Sequence, residues 1–159
     1  MKSIQLRGKY GIGLIAFVDE IDYPRVMLHK WYGSTPSRGS SRPYAKFGNN
    51  KSIFLSRFII NAPIGWEVDH INRNPLDNRR ENLRLATTSE NNRNKPQKNN
   101  SNGYRGVAFH NEKNRIKKYQ ARMKVRNKYI SLGYFSSAKE AFEVYKDASI
   151  KEFGEFAIF

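Results

Sequence analysis

The sequence predicts an α+β protein in two modules: an N-terminal module of small strands with a short helix, then a three-stranded antiparallel sheet packed on one helix. Three observations predict it. Residues 92–102, Asn-Arg-Asn-Lys-Pro-Gln-Lys-Asn-Asn-Ser-Asn, hold no apolar side chain except Pro96, so they read as a linker, not core. Residues 116–126 alternate with period two, and residues 138–149 repeat their apolar side chains with helical spacing.

In order along the chain, Lys2, Arg7 and Lys9 precede an apolar stretch, Gly11–Val18, that superficially resembles a signal peptide. Asp19, Glu20 and Asp22 stand where small residues would permit cleavage, so the stretch reads as a strand. Further short strands are expected at Val26–Leu28, Tyr44–Phe47 and Ile53–Leu55, each bounded by Gly, Pro, Ser or Asn. Leu55–Asn61, closed by Ala62-Pro63, reads as a short helix. Trp31, Phe54, Phe58 and Trp66 are expected in the core.

Beyond the linker, Ile116–Arg126 places Tyr119, Ala121, Met123 and Val125 on one face and Lys118, Gln120, Arg122, Lys124 and Arg126 on the other. Tyr104–His110 and Tyr129–Phe135 flank it as strands, with turns at Asn111–Asn114 and Arg126–Lys128. Ser137-Ala-Lys-Glu140 is a capping box. Ala138, Ala141, Phe142, Tyr145, Ala148 and Ser149 then form a stripe that ends at Gly154 and suits the apolar face of the sheet.

Charge narrows the functional classes. The 159 residues carry 29 Lys+Arg and 14 Asp+Glu, a net +15. Such a surplus opposes compaction unless a polyanion offsets it, and the DNA or RNA backbone is the natural partner; a basic surface kept for solubility is the bland alternative. Residues 103–135 hold nine basic groups and one acidic, whereas residues 136–159 hold three and five, so the sheet and not the helix is expected to face phosphates. Cysteine is absent, which excludes disulfides, thiolate nucleophiles and Cys-ligated zinc. No stretch approaches the ~20 apolar residues of a membrane span, and a soluble protein of the cytoplasm is expected.

Upstream of the linker lie Glu67-Val-Asp-His70, Asp77-Asn-Arg-Arg-Glu-Asn-Leu-Arg84 and Thr87-Thr-Ser-Glu-Asn-Asn-Arg-Asn94. Each alone is weak, since Asp-His pairs arise by chance and Asn-rich stretches are usually turns. Together, in this order and spacing from about residue 64 to 94, they resemble the HNH nucleases of the ββα-metal fold, in particular phage and intron-encoded homing endonucleases. The chain then divides into a β-rich segment (1–60) that packs on the nuclease or adds DNA contacts through Arg38, Arg42, Lys46 and Lys51, a ββα-metal core (61–94), a linker (95–102) and a C-terminal domain (103–159). Val68-Asp69-His70 would end one strand, Leu83-Arg84-Leu85 would make the next, and Thr87 or Thr88 would cap a short helix bearing Asn91.

Phosphodiester hydrolysis needs a base for water, a cation for the developing charge, and a group that holds the base. His70, with an ordinary pKa near ~6.5, is the candidate general base. Asp69 and Asn91 are the candidate metal ligands, an oxygen pair that suits one Mg²⁺, with Mn²⁺ able to substitute. The resemblance implies that Asn82 ties the loop between the strands and orients His70; Asn78 is the competing residue, and Asn92 or Asn94 could stand in for Asn91. Arg79, Arg80, Arg84 and Arg93 are candidate phosphate contacts or simply solvated charges.

In the C-terminal module, Tyr104-Arg-Gly-Val107, Tyr119-Gln-Ala-Arg-Met123, Leu132-Gly-Tyr-Phe135 and Ala138-Lys-Glu-Ala-Phe-Glu-Val-Tyr145 resemble the APETALA-type DNA-binding domain of plant ethylene-response factors, over about residues 103–157. That resemblance implies a sheet in the major groove, with Arg105, Gln120 and Arg122 at matching contact positions. Tyr129 and Ser131 stand where that family places Arg and Trp, so its target sequence does not carry over. The expected function is a metal-dependent endonuclease on double-stranded DNA that nicks as a monomer, a double-strand break requiring a dimer or two encounters. A non-catalytic DNA-binding protein on the same scaffold is the alternative. RNA is disfavoured because the exposed face of residues 116–126 lacks stacking aromatics.

Overall fold

The computed structural model describes residues 1–34, 44–48, 52–95, 103–126 and 128–159. Arg38, Arg42, Lys51, most of the linker and Asn127 of the second turn lie outside them. The chain forms two compact units, Met1–Asn94 and Lys95–Phe159, divided within the polar stretch.

The first unit begins with β1 (Lys2–Gln5) paired antiparallel with β2 (Ile15–Val18). β1 is a strand that composition does not announce, because only Ile4 of its four side chains is buried. Then come α1 (Tyr23–Val26) and a sheet of order β3-β4-β5, from β3 (Tyr32–Gly33), β4 (Ala45–Phe47) and β5 (Ile53–Phe54). The strand expected at Val26–Leu28 is not formed. Pro24 opens a helical turn that buries Val26 and leaves Leu28 80% exposed. α2 (Leu55–Ile60) follows the expected range and stops at Asn61, whose φ of 49° the short Asn side chain tolerates. β6 (Glu67–His70) and β7 (Leu83–Ala86) make an antiparallel pair, and α3 (Thr88–Asn94) follows.

Thr87 caps α3. Its Oγ1 accepts from the Glu90 N–H at 3.3 Å, while its own N–H donates to Glu90 Oε2 at 2.7 Å. One apolar cluster holds the unit together, with Ile4, Leu6, Ala16, Val18, Val26, Trp31, Ala45, Leu55, Ile59 and Leu83 buried in it. Trp31 sits in a ring cluster with His29, Phe47 and Phe58 and donates its indole N–H to Val26 O at 2.8 Å. Leu55 is fully buried, so its replacement by Ala would cost about 2–5 kcal/mol. Trp66 and Phe54, expected in the core, are 44% and 38% exposed. Trp66 follows a turn that Arg57 clamps by donating to Trp66 O, Ala62 O and Pro63 O, and Phe54 lies on the edge strand β5.

The second unit is a sheet of order β10-β9-β8, built from β8 (Val107–Phe109), β9 (Tyr119–Val125) and β10 (Lys128–Phe135), with α4 (Ala138–Phe153) after it. All pairings are antiparallel, with a register shift between Ser131 and Gly133. Ala141 and Tyr145 of α4 pack with Val107 and Ala121 of the sheet, as the sequence stripe requires. Ser137 caps α4 by accepting from the Glu140 N–H at 3.2 Å, while Glu140 reaches back to the N–H of Ser136, one residue earlier than the expected box. β8 is shorter than expected because Gly106, at φ 74°, turns the chain just before it; a side chain there would meet the Tyr145 ring.

Candidate active site and nucleic-acid surface

Alternation along β6 sets the site. Glu67 and Asp69 share one face, and Val68 and His70 share the other. Asp69 and His70 are both buried, at 3% and 7% exposure, because β6 is covered from two sides: α3 meets the carboxylate and the loop before β7 meets the imidazole.

On the imidazole side, His70 Nε2 lies 3.3 Å from Asn78 Oδ1. Asn78 uses its amide N–H toward Pro75 O at 3.4 Å, so its oxygen faces the ring and His70 Nε2–H is the donor. The lone pair of the neutral ring is then on Nδ1. Burial pushes the His70 pKa below the ordinary histidine value, against the Asn78 hydrogen bond and the charges of Asp69 and Asp77. The ring is therefore neutral at pH 7 and able to accept a proton.

Asn82 does not reach the ring. It fixes the loop, accepting from the Asn72 N–H at 2.9 Å and donating to Asp77 O at 2.7 Å. The two jobs that sequence assigned to one amide are thus divided between Asn82, which ties the loop, and Asn78, which touches the His70 ring.

On the carboxylate side, Arg84 donates to Asp69 Oδ2 from Nε at 2.9 Å and from Nη2 at 2.8 Å. Asn94 donates from Nδ2 to Asp69 Oδ1 and to His70 O, both at 2.7 Å, and its own Oδ1 accepts from Arg73 Nε at 3.2 Å. Asn94 is 4% exposed, and these bonds occupy both ends of its amide, so it is a fixing residue. Asn91 instead donates its amide N–H to Glu67, which leaves its Oδ1 as an oxygen donor on the half-buried side of α3. Asn92 is exposed. Glu67 was missed as a site residue; its position two before Asp69 on one strand was the available signal.

The carboxylate oxygens of Asp69 and Glu67 and the amide oxygen of Asn91 are all hard donors. Asp69 Oδ1 keeps a lone pair beyond the one that Asn94 uses. This set fits a small divalent cation such as Mg²⁺. Among the described residues no three His, Asp or Glu side chains gather for a metal, so water and phosphate would complete such a shell.

Most of the arginines proposed for phosphate are paired with carboxylates. Arg79 holds Asp77 from Nε and Nη2, each at 2.8 Å, and Glu81 from Nη1 at 2.6 Å. Arg80 holds Asp22, and Arg84 holds Asp69. Arg93 donates to Ser89 Oγ on its own helix.

In the second unit, Arg122, Lys124 and Arg126 are exposed, and Arg105, Lys118 and Gln120 are half-buried. The register sets Tyr129 opposite Lys124, Ser131 opposite Arg122 and Tyr134 opposite Gln120, so β10 adds two aromatic rings to the wet face of β9. Their faces carry cations: Arg122 and Lys124 lie 5.0 and 5.7 Å from the Tyr129 centroid, and Arg115 lies 4.4 Å from that of Tyr134. Gln120 is held at both ends, by His110 Nε2 at 3.0 Å and Ser131 Oγ at 2.9 Å.

No helix among the described residues is long and apolar enough to cross a membrane. Residues 61–93 match the family model described as HNH endonuclease, a span that includes the β6–β7 pair, Asp69, His70, Asn82 and Asn91. The match ends before the second unit. No solved structure matches the chain. An uncharacterized HNH endonuclease of Acanthamoeba polyphaga mimivirus is 30% identical over 147 residues, 92% of this chain and 75% of the relative. That length exceeds either unit, so the similarity runs through both. The chain belongs to the HNH endonuclease family.

Proposed function

We propose that the protein is a metal-dependent endonuclease that hydrolyses phosphodiester bonds of double-stranded DNA, cutting in the first unit and binding its target through the sheet of the second. The observation that carries it is the neutral His70 ring at the end of β6, fixed through Nε2 with its lone pair on Nδ1 and next in the chain to Asp69, whose carboxylate lies on the other face of the strand. His70 Nδ1 takes a proton from water as the oxygen forms its bond to phosphorus and the bond to the leaving oxygen breaks. Asn78 holds the ring through that step. Asp69 and Asn91 would hold one Mg²⁺, or Mn²⁺ in its place, with Glu67 beside them. The ion supplies positive charge where negative charge develops on the phosphoryl and leaving oxygens.

One chain carries one such site, so a monomer nicks one strand per binding event. The single-signed face of Arg122, Lys124 and Arg126 supports DNA binding by the second unit, in the manner of the APETALA-type domain it resembles. A second contact tethered to the nuclease raises the local concentration of target. The homing role of a mobile element, in a phage or virus within its host, follows the same family resemblance.

One observation favours the competing reading of a DNA-binding scaffold: Arg84 already offsets the charge of Asp69. Supercoiled-plasmid cleavage by wild type and His70→Ala, with Mg²⁺, Mn²⁺ or EDTA and a parallel gel shift, separates the two. The nuclease nicks only with metal, and His70→Ala binds without cutting. Binding by both proteins with cleavage by neither, on every DNA tried, supports the scaffold.

A further inference from the structure

Residues 1–60 lie outside the matched family segment, yet they grip the loop that carries Asn78. Phe17 stands in the middle of β2, between Ala16 and Val18, both fully buried. Its N–H donates to Leu76 O and its carbonyl accepts from the Asn78 N–H, each at 2.8 Å, so residues 76–78 run beside β2 as a further parallel segment.

Two residues on, a second hold follows. The Arg80 N–H donates to Asp19 Oδ2 at 2.8 Å, and its guanidinium donates to both oxygens of Asp22, from Nε at 2.7 Å and Nη2 at 2.9 Å. Asp22 is 1% exposed and is also gripped by Arg25, whose Nη1 in turn donates to Phe58 O at the end of α2. Both arginines also donate to Ile59 O.

The local bonds of the loop settle its shape but not its place. Asn74 N–H to Asn72 Oδ1, Leu76 N–H to Asn74 Oδ1 and Asn82 Nδ2 to Asp77 O all join residues within the loop. Its registration comes from its partners in residues 1–60 and its anchoring on β6 and β7. Asn78, 1% exposed, is seated between the Phe17 carbonyl and the His70 ring.

We infer that residues 1–60 are a positioning scaffold for the general base: the Phe17 backbone and the Asp19–Asp22–Arg80 hold fix the loop that presses Asn78 against His70. Arg80 is then a positioning residue acting through Asn78, not a phosphate contact. The inference rests on the role of His70 proposed above.

The test is Arg80→Gln in the full chain, assayed for plasmid nicking and for DNA binding against salt. The expected result is a kcat lower by about 10- to 100-fold, with KM and the salt dependence of binding unchanged. An unchanged kcat with a raised KM and a salt slope lower by about one assigns Arg80 to a phosphate and overturns the inference. The second readout needs no cleavage: the long-range nitrogen–proton NMR pattern of the His70 ring, recorded at one pH where it is neutral. Wild type is expected to show the Nε2–H form, and Asn78→Ala and Arg80→Gln a mixture of forms. A ring pattern unchanged in Arg80→Gln overturns the inference even if the protein cuts no DNA, while loss of the single form without any wild-type cleavage sustains the hold and rejects the nuclease. Should Arg80→Gln fail to fold, Asp19→Ala, which removes the acceptor of the Arg80 N–H and one charge near Arg79 and Arg80 but keeps the Arg80–Asp22 pair, is expected to move both readouts the same way by less.

Discussion

Asn94 donates its amide N–H to Asp69 Oδ1 at 2.7 Å, whereas Asn91, one helical turn earlier on α3, gives its amide to Glu67. The two residues therefore serve the carboxylate face differently. Asn94 is buried with both ends of its amide hydrogen-bonded, while Asn91 is half-buried and is held through its amide N–H.

This separates two variants by their metal dependence. Asn91→Ala is expected to raise the Mg²⁺ concentration for half-maximal nicking about tenfold or more, with the maximal rate partly regained at high Mg²⁺. Asn94→Ala leaves Asp69 Oδ1 and His70 O short of a buried donor. It should lower both the unfolding midpoint and the maximal rate at any Mg²⁺ concentration, by about 1–3 kcal/mol in stability. A Mg²⁺ titration of nicking beside urea unfolding of both proteins checks the pair. An exchange of the two outcomes would move the ligand role to Asn94.

Acid should act on the first unit through Asp22. Burial alone would raise its pKa, but the hydrogen bonds from Arg80 and Arg25 outweigh it and the carboxyl lies below its ordinary range. A carboxyl depressed in the folded state stabilises fully above its unfolded pKa, and that stability disappears as pH falls through the folded value. Asp77, held down by Arg79, acts in the same direction. The urea midpoint of wild type is thus expected to be level above about pH 5 and to fall below about pH 4. Asp22→Asn should start lower at neutral pH and fall less steeply in acid. Parallel curves for the two proteins would remove Asp22 from the acid transition.

The sequence made some of these elements legible and hid others for physical reasons. The period-two run of β9 and the Ala141–Tyr145 stripe of α4 show because each element buries one face against one neighbour. Thr87 and Asn61 mark helix ends by local chemistry, which needs no tertiary partner. β1 stayed hidden because its four residues bury one side chain, and α1 was misread because Pro24 outweighs the β-branched Val26. Within the site, His70, Asp69 and the Thr87 cap could be read locally. Asn78 stood in the sequence as the alternative to Asn82 for the contact to His70, but its seat on Phe17 O and the pairing of Arg80 with Asp22 could not be read, because Phe17 and Asp22 lie 61 and 58 residues away.

Gly106 gives a clean test of the second unit. At φ 74° it occupies the left-handed region, and a Cβ there would lie 2.0 Å from the Tyr145 ring. Gly106→Ala combines backbone strain with overpacking of the sheet against α4 and should cost about 2–4 kcal/mol. In thermal unfolding of the full chain, the transition of the second unit should fall by several degrees, with loss of DNA affinity. An unshifted transition would show that neither the left-handed backbone at Gly106 nor the Tyr145 contact limits the stability of the unit.

The wet face of that sheet makes a prediction about salt. If Arg122 and Lys124 neutralise phosphates, each replacement by Ala should lower the slope of log affinity against log salt by about one, while kcat at saturating DNA stays as in wild type. Tyr129 sits beneath both cations, so its ring orders two side chains that would otherwise lose conformational freedom on binding. Tyr129→Phe keeps that ring and should bind as wild type. Tyr129→Ala should weaken binding a few-fold, consistent with about 0.5–1 kcal/mol for an exposed cation–π contact, without changing the salt slope because no charge is removed. Gel shifts over a salt series distinguish the cases. An equal loss in Tyr129→Phe would point instead to a direct contact by the phenol oxygen.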